Sequence, residues 1–182
     1  MRHWLERAWY GQAGGAALLL PLAMLFGGIV ALRRLAFRRR WLASAHPGRP
    51  VVVIGNLSVG GSGKTPLTIW LADALAARGL RVGIVSRGYG GSAAGPVRVS
   101  ADSDPADVGD EPVLLARRTS ARIVVARDRV AAAALLAPEV DLILADDGLQ
   151  HYRLRRDFEI LVVDGRRRHG NGWLLPAGPL RE

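Results

Sequence analysis

Residues 51–54 are Val-Val-Val-Ile, a β-branched run held between Pro50 and Gly55. It leads directly into Gly55-Asn56-Leu57-Ser58-Val59-Gly60-Gly61-Ser62-Gly63-Lys64-Thr65. Residues 67–78 then place Leu67, Leu71, Ala74 and Leu75 on one helical face up to Gly79. This order commits the chain to an α/β architecture, because such a loop cradles phosphate only when a strand delivers it and a helix N-terminus follows. The glycines let successive N–H groups turn inward on phosphate oxygens, Lys64 meets the β and γ phosphates, and Thr65 serves Mg²⁺. Ser58, Val59, Gly60, Gly61, Ser62, Gly63, Lys64 and Thr65 are therefore the nucleotide-binding candidates. Ser58 stands where the usual pattern has its first glycine, so the loop must begin in a conformation that a non-glycine residue can hold.

The remaining chain keeps the alternation. Residues 82–85, 123–125, 142–144 and 160–163 are short apolar strands, and 111–118 and 128–137 are helical. Strands that are apolar throughout and separated by helices predict a mostly parallel sheet with helices on both faces, of the P-loop NTPase type. Lys64 is the only lysine beside 24 arginines, and it occupies the one position that wants a compact ammonium. The same scarcity makes minority readings of a Ras-type GTPase, whose guanine motif needs a second lysine, and a partitioning ATPase, which needs one where Val59 stands.

The run at 142–147, Leu-Ile-Leu-Ala-Asp-Asp, ends an apolar strand in two carboxylates, as a Walker B element does. Asp146 or Asp147 would hold Mg²⁺ directly or through water. Gln150 and His151 follow within reach of the same crevice, and Ser86-Arg87-Gly88-Tyr89-Gly90 leaves another strand end and either lines it or simply turns. Asp110 and Glu111 open a helix after Gly109; the residues alone leave open whether Asp110 caps it or accepts a proton from an acceptor hydroxyl. Arg166-Arg167-Arg168 is a solvated run or a contact for an anionic substrate or membrane.

Ahead of all this, residues 8–32 carry no charge, and 25 residues of helix span about 37 Å against ~30 Å of bilayer hydrocarbon. Arg33, Arg34, Arg38, Arg39 and Arg40 follow as a stop-transfer collar, which favours an N-terminal membrane-anchor helix over a signal peptide or a buried hairpin helix. Residues 32–42 read as a basic helix lying among headgroups, and the positive collar places everything after it in the cytoplasm. The expected organisation is thus 1–45 for anchor and interfacial helix and 46–182 for the P-loop core. The formal charge of +9 sits mainly at the N-terminus: residues 1–50 hold eight Arg and one Glu, the rest seventeen basic and fifteen acidic groups. No basic stripe with interleaved aromatics crosses the core, so a nucleic-acid partner is not expected. With no cysteine, thiolate metal sites and disulfides are excluded.

Five motifs in order, together with the anchor, resemble the tetraacyldisaccharide 4′-kinase family: the phosphate loop through Pro66, Ser86-Arg87-Gly88-Tyr89-Gly90, Gly109-Asp110-Glu111-Pro112, the 146–151 segment Asp-Asp-Gly-Leu-Gln-His, and the 175–182 segment Leu-Pro-Ala-Gly-Pro-Leu-Arg-Glu. Ser58 fits, since the family has Ser or Thr there. The resemblance implies a bacterial inner-membrane enzyme with its catalytic part on the cytoplasmic face. It implies transfer of phosphoryl from ATP, with Mg²⁺, to the 4′-hydroxyl of an anionic glycolipid, a tetraacyl glucosamine disaccharide 1-phosphate, giving lipid IVA. By the same analogy Asp110 is the general base, Lys64 and Asp147 belong to the catalytic network, and Thr65, Asp146 and Glu182 serve the metal. Arg87, Tyr89, Gln150, His151 and Arg181 are the substrate candidates. Family members continue well beyond the point where this chain stops inside a motif, which implies a truncated core. A membrane-anchored P-loop ATPase acting as a nucleotide switch, or an inactive fragment, are the alternatives.

Overall fold

The structure, a computed structural model, describes residues 2–11 and 15–182. They fall into two compact units. One comprises Ala43–Gly55 and Gly63–Ile160; the other comprises Met1–Leu42, Asn56–Ser62 and Leu161–Glu182. The first change of unit falls between Leu42 and Ala43, and part of the phosphate loop and the last 22 residues group with the N-terminal helices.

The first unit is built on a six-stranded sheet. Its strands are β1 (Val51–Gly55), β2 (Val82–Ser86), β3 (Val97–Val99), β4 (Arg122–Val125), β5 (Leu142–Asp146) and β6 (Phe158–Leu161), in the order β3-β4-β2-β5-β1-β6. The four central strands are parallel, with Val51 beside Ile143, Val82 beside Leu142 and Gly83 beside Arg122. β3 pairs antiparallel with β4 at the edge. Side chains alternate across a strand, so Val82 and Ile84 face one way and Gly83 the other. On the first face Val82, Ile84, Leu142 and Leu144 pack with Ala72 of α3 (Lys64–Ala76) and Leu115 of α5 (Asp110–Arg118). On the opposite face the end of α6 (Arg129–Leu136) comes so close that a Cβ on Gly83 would lie 3.2 Å from both Leu136 and Val140. Helices cover both faces, as the strand pattern requires.

Two elements carried no legible signal. β3 is three residues of an exposed edge, and the short α4 (Pro105–Val108) starts where the Asp104 carboxylate accepts from the Ala106 N–H at 2.8 Å. β6 starts two residues earlier than expected. Asp157 fixes it there, its N–H donating to Val51 O at 2.9 Å and its carboxylate accepting from Val51 N–H at 2.8 Å. Residues 162–163 are left outside the ladder.

The N-terminal segment departs from the expected single helix over 8–32. In the second unit α1 (Arg2–Trp9) ends before Gly11, whose φ of 80° breaks the helix, and residues 12–14 of the expected span lie outside the described residues. From Ala16 to Arg38 the chain is continuously helical, first as a 3-10 turn at Ala16–Leu19 and then as α2 (Leu20–Arg38). Arg33, Arg34 and Arg38 are therefore the last turns of this same helix rather than the start of a separate interfacial one. Cations favour a helix C-terminus, and the left-handed Arg40 at φ 60° follows as the helix ends. The most apolar 18-residue window of this helix has a mean hydropathy of 2.0, and its 23 residues are long enough, at about 35 Å, to cross a membrane. Most of their surface is bare; Leu18 is 85% exposed, and Met24, Leu25 and Ile29 are also open. One narrow face is covered within this unit, where buried Ala23 and the closely approached Gly27 lie, a Cβ on the latter falling 2.8 Å from a Leu174 methyl.

Candidate active site

In the sheet unit, the carboxyl ends of β1, β2 and β5 open toward the same edge, the usual ligand crevice of a parallel sheet. α3 starts at Lys64, immediately after Gly63 at φ 81°, a left-handed conformation that glycine alone adopts freely. Lys64 Nζ lies 3.6 Å from Asp147 Oδ1. One turn on, fully buried Thr68 places its hydroxyl 3.1 Å from both Lys64 O and Asp146 Oδ1. The start of α3 and the end of β5 are thus joined by an ion pair and a buried hydroxyl. Thr65 sits half-buried in that first turn.

Asp146 is 1% exposed and its pKa is pushed up to about 6, first by burial and then by the nearby charge of Glu111. The charge of Asp147 adds to the rise, while the Thr68 hydroxyl and Lys64 oppose it. A buried carboxylate crowded by two others is a place where a hard cation lowers the energy, and the Thr65 hydroxyl supplies a second oxygen donor. The donors present therefore fit Mg²⁺. Among the described residues no three His, Asp or Glu side chains converge into a protein-only metal cage.

The raised pKa has a stability consequence. A carboxyl titrating higher in the folded than in the unfolded chain contributes stability below its unfolded pKa and loses it as pH rises through the folded value. For Asp146 that window runs from about 4 to about 6. Asp146→Asn keeps an acceptor for Thr68 and removes the buried charge. It should melt roughly 6–12 °C above the parent protein at pH 7.5 and level with it near pH 4, since two pKa units are worth on the order of 3 kcal/mol. Equal melting at both pH values, followed by circular dichroism, would contradict the buried-charge account.

Two arginines hold the backbone that presents these carboxylates, and neither stood out in the sequence. Arg129, buried at the start of α6, donates from Nη2 to Asp146 O at 3.2 Å and Asp147 O at 2.9 Å, bracing Asp147 in its left-handed conformation at φ 48°. Burial lowers its pKa against the opposing charges of Asp147 and Asp146, while Arg87 adds to the lowering. That coupling places Arg87 near the same turn. Arg156 donates to Leu149 O and His151 O, each at 2.9 Å, and so fixes the segment carrying Gln150. A cation heading the apolar run of α6 was the available signal for Arg129; Arg156 was hidden among Arg153 and Arg155.

His151 lies half-buried, Nε2 4.0 Å from Asp128 Oδ1, and burial, aided by the charge of Arg129, lowers its pKa to about 4. It is neutral at pH 7 and does not act there as a cation. Asp110 is the first residue of α5, exposed, and the helix cap is Gly109, with no side-chain cap bond. Tyr89 is 84% exposed, but its carbonyl lies so near Gly109 that a Cβ there would meet it at 2.6 Å. The Ser86–Gly90 motif and the start of α5 are therefore neighbours.

In the other unit the first half of the phosphate loop pairs with the C-terminal motif. Ser58 bridges Leu180, Val59 N–H donates to Pro179 O at 2.9 Å, and Arg181 N–H donates to Leu57 O at 2.7 Å. Asn56 Nδ2 donates to Gly60 O at 3.3 Å, and Gly60 holds φ 119°. Ser62 Oγ is buried with no hydrogen-bond partner among the described residues. Arg181 and Glu182 follow this pairing directly, half-buried.

The sequence profile of the family described as tetraacyldisaccharide-1-P 4′-kinase matches residues 15–182. This chain belongs to that family. A tetraacyldisaccharide 4′-kinase of Chromobacterium violaceum is 60% identical over 182 residues, covering 98% of this chain and 53% of the relative. One from Alkalilimnicola ehrlichii is 57% identical over 183 residues, with 98% and 54% covered. A crystal structure of LpxK from Aquifex aeolicus in complex with ATP superposes with a TM-score of 0.81 at 35% identity, covering 92% of this chain and 54% of that one. The chain spans about half the length of the curated relatives it matches.

Proposed function

We propose that this chain takes part in transferring the γ-phosphoryl group of ATP to the 4′-hydroxyl of a tetraacyl glucosamine disaccharide 1-phosphate, giving lipid IVA, at the cytoplasmic face of a bacterial inner membrane. The observation that carries the reading is the junction of α3 and β5, where the only lysine of the chain meets Asp147 while Thr68 ties the same turn to buried Asp146. The ATP bound by the Aquifex aeolicus relative supports it.

In this reading Lys64 leaves Asp147 to meet the β and γ phosphates, and the helix N-terminus of α3 adds its partial positive charge. The loop N–H groups and Ser62 Oγ hold phosphate oxygens. Thr65 and Asp146 would hold Mg²⁺, which when bound would neutralise charge developing on the transferred group. Asp110 accepts the proton of the attacking hydroxyl, while Arg87, Tyr89, Gln150 and His151 position the acceptor. Incubation of protein spanning the family's full length with γ-labelled ATP and the disaccharide 1-phosphate tests the reading. Label should appear on lipid; label only in free phosphate would favour a nucleotide switch.

The membrane role belongs to the helix from Ala16 to Arg38. Leu25→Arg/Ile29→Arg introduces two charges on its exposed face, each costing ~2.5–3.5 kcal/mol at a bilayer centre. The variant should move largely to the soluble fraction or to aggregates on membrane flotation. Retention in the membrane at the parent level would remove the anchor assignment.

A further inference from the structure

Arg166-Arg167-Arg168 found no use in the phosphoryl-transfer reading, yet the structure gives it a setting. A pocket of about 800 Å³ lies between the end of α1 and the turn at 166–171, and all of its lining belongs to the unit that carries α2. Arg7 approaches from α1, Arg166, Arg167 and Arg168 from the turn, and Glu6 is the one acid in the wall. The balance is strongly positive. The Asp164 carboxylate caps the turn, accepting from the N–H groups of Arg166 and Arg167 at 2.8 Å each.

The pocket is built rather than incidental. Its floor is Trp9, buried, with Nε1 donating to Pro176 O at 3.0 Å and its carbonyl accepting from Asn171 N–H at 2.8 Å. Gly170, at φ 58°, fits only without a Cβ, which would meet Trp9 O at 2.8 Å. The Arg167 guanidinium stacks over the Tyr10 ring at 5.6 Å and also lies beside Gly60 of the phosphate loop, 3.6 Å from where a Cβ would be. Forked guanidinium groups match phosphate oxygens bidentately, and Trp and Tyr beside them suit the boundary between headgroups and acyl chains. The pocket is in the size range of a small-molecule site. The apolar helix of the same unit supplies the lipid surroundings.

We propose that this pocket binds a lipid-borne phosphate. Two lipid phosphates share that chemistry: the headgroup phosphate of a glycerophospholipid in the surrounding leaflet, and the anomeric phosphate of the disaccharide acceptor. The glycerophospholipid source stands on the pocket itself, whereas the disaccharide source rests on the kinase reading.

The test is a calorimetric titration of the detergent-solubilised protein with three probes: dihexanoyl phosphatidic acid, glucosamine disaccharide 1-phosphate and inorganic phosphate. One of the first two should bind saturably and at least tenfold more tightly than inorganic phosphate, and the tighter identifies the source. Arg166→Gln/Arg167→Gln should weaken that binding tenfold or more, as should Arg7→Gln on the opposite wall. Arg38→Gln/Arg39→Gln removes the same charge outside the pocket and should stay within twofold. The proposal is overturned if neither organic probe saturates, if inorganic phosphate binds as tightly, or if the pocket and collar variants lose affinity equally. Thermal melts of each variant separate lost binding from lost folding, and Arg7→Gln provides an independent reading if the turn variant unfolds.

Discussion

Lys64→Ala should abolish nucleotide-linked phosphoryl transfer, by roughly 10²–10³-fold or more, while leaving the fold in place. The Lys64 ammonium lies 3.6 Å from the partly exposed Asp147 at the carboxyl end of β5. Its loss should therefore remove a charge from the phosphate loop at a smaller cost in stability than in turnover. A binding readout separates the two. A ligand held only by the folded state stabilises it by about 2.7 kcal/mol at a hundredfold excess over Kd, so the parent protein should melt several degrees higher with Mg²⁺ and a non-hydrolysable ATP analogue. Lys64→Ala should lose most of that increment while melting normally without nucleotide. Lys64→Arg should fail as well, because a planar fork is too bulky for a loop wrapped around phosphate. Near-normal turnover in the arginine variant would count against the phosphate-loop role.

What was legible before the structure was the part written in periodicity and local chemistry. The β-branched run at 51–54, the loop after it and the spacing of Leu67, Leu71 and Leu75 specify strand, phosphate loop and helix without long-range information. Asp128 ahead of an alanine-rich run marked the start of α6, and its carboxylate indeed accepts from Val130 N–H at 3.0 Å. The uncharged N-terminal stretch predicted a helix of membrane length, but where it starts depends on left-handed breaks at Gly11 and Gly15, and glycine identity alone does not announce a positive φ. Partnerships across the chain were not legible. Thr68 reads as an ordinary helix residue until β5 brings Asp146 within 3.1 Å of it, 78 positions later. Arg129 likewise becomes a brace for the Asp146-Asp147 turn only once α6 crosses behind β5.

Asp110 poses the sharpest choice, because the structural and catalytic readings of its carboxylate give opposite outcomes. It is the first residue of α5, and Gly109 occupies the cap without a side-chain bond. The structural contribution of its charge is thus limited to the helix dipole, about 0.3–1 kcal/mol. Asp110→Asn removes that charge and keeps the shape, so stability should fall by no more than this amount. It also deletes the only basic oxygen at that position. If Asp110 accepts the proton of the acceptor hydroxyl, kcat should drop by ~10²–10⁴-fold while the affinity for ATP stays near that of the parent, the pattern of an interaction made only in the transition state. Neighbouring Glu111 sharpens the comparison, since its charge reaches buried Asp146 and helps raise that group's pKa. Glu111→Gln should therefore shift the pH dependence of Mg²⁺-nucleotide binding toward lower pH with a smaller effect on kcat. Both variants belong in protein spanning the family's full length, assayed with saturating acceptor. A kcat for Asp110→Asn within a few-fold of the parent, at unchanged melting temperature, would return this residue to the helix terminus and require the proton acceptor to come from elsewhere.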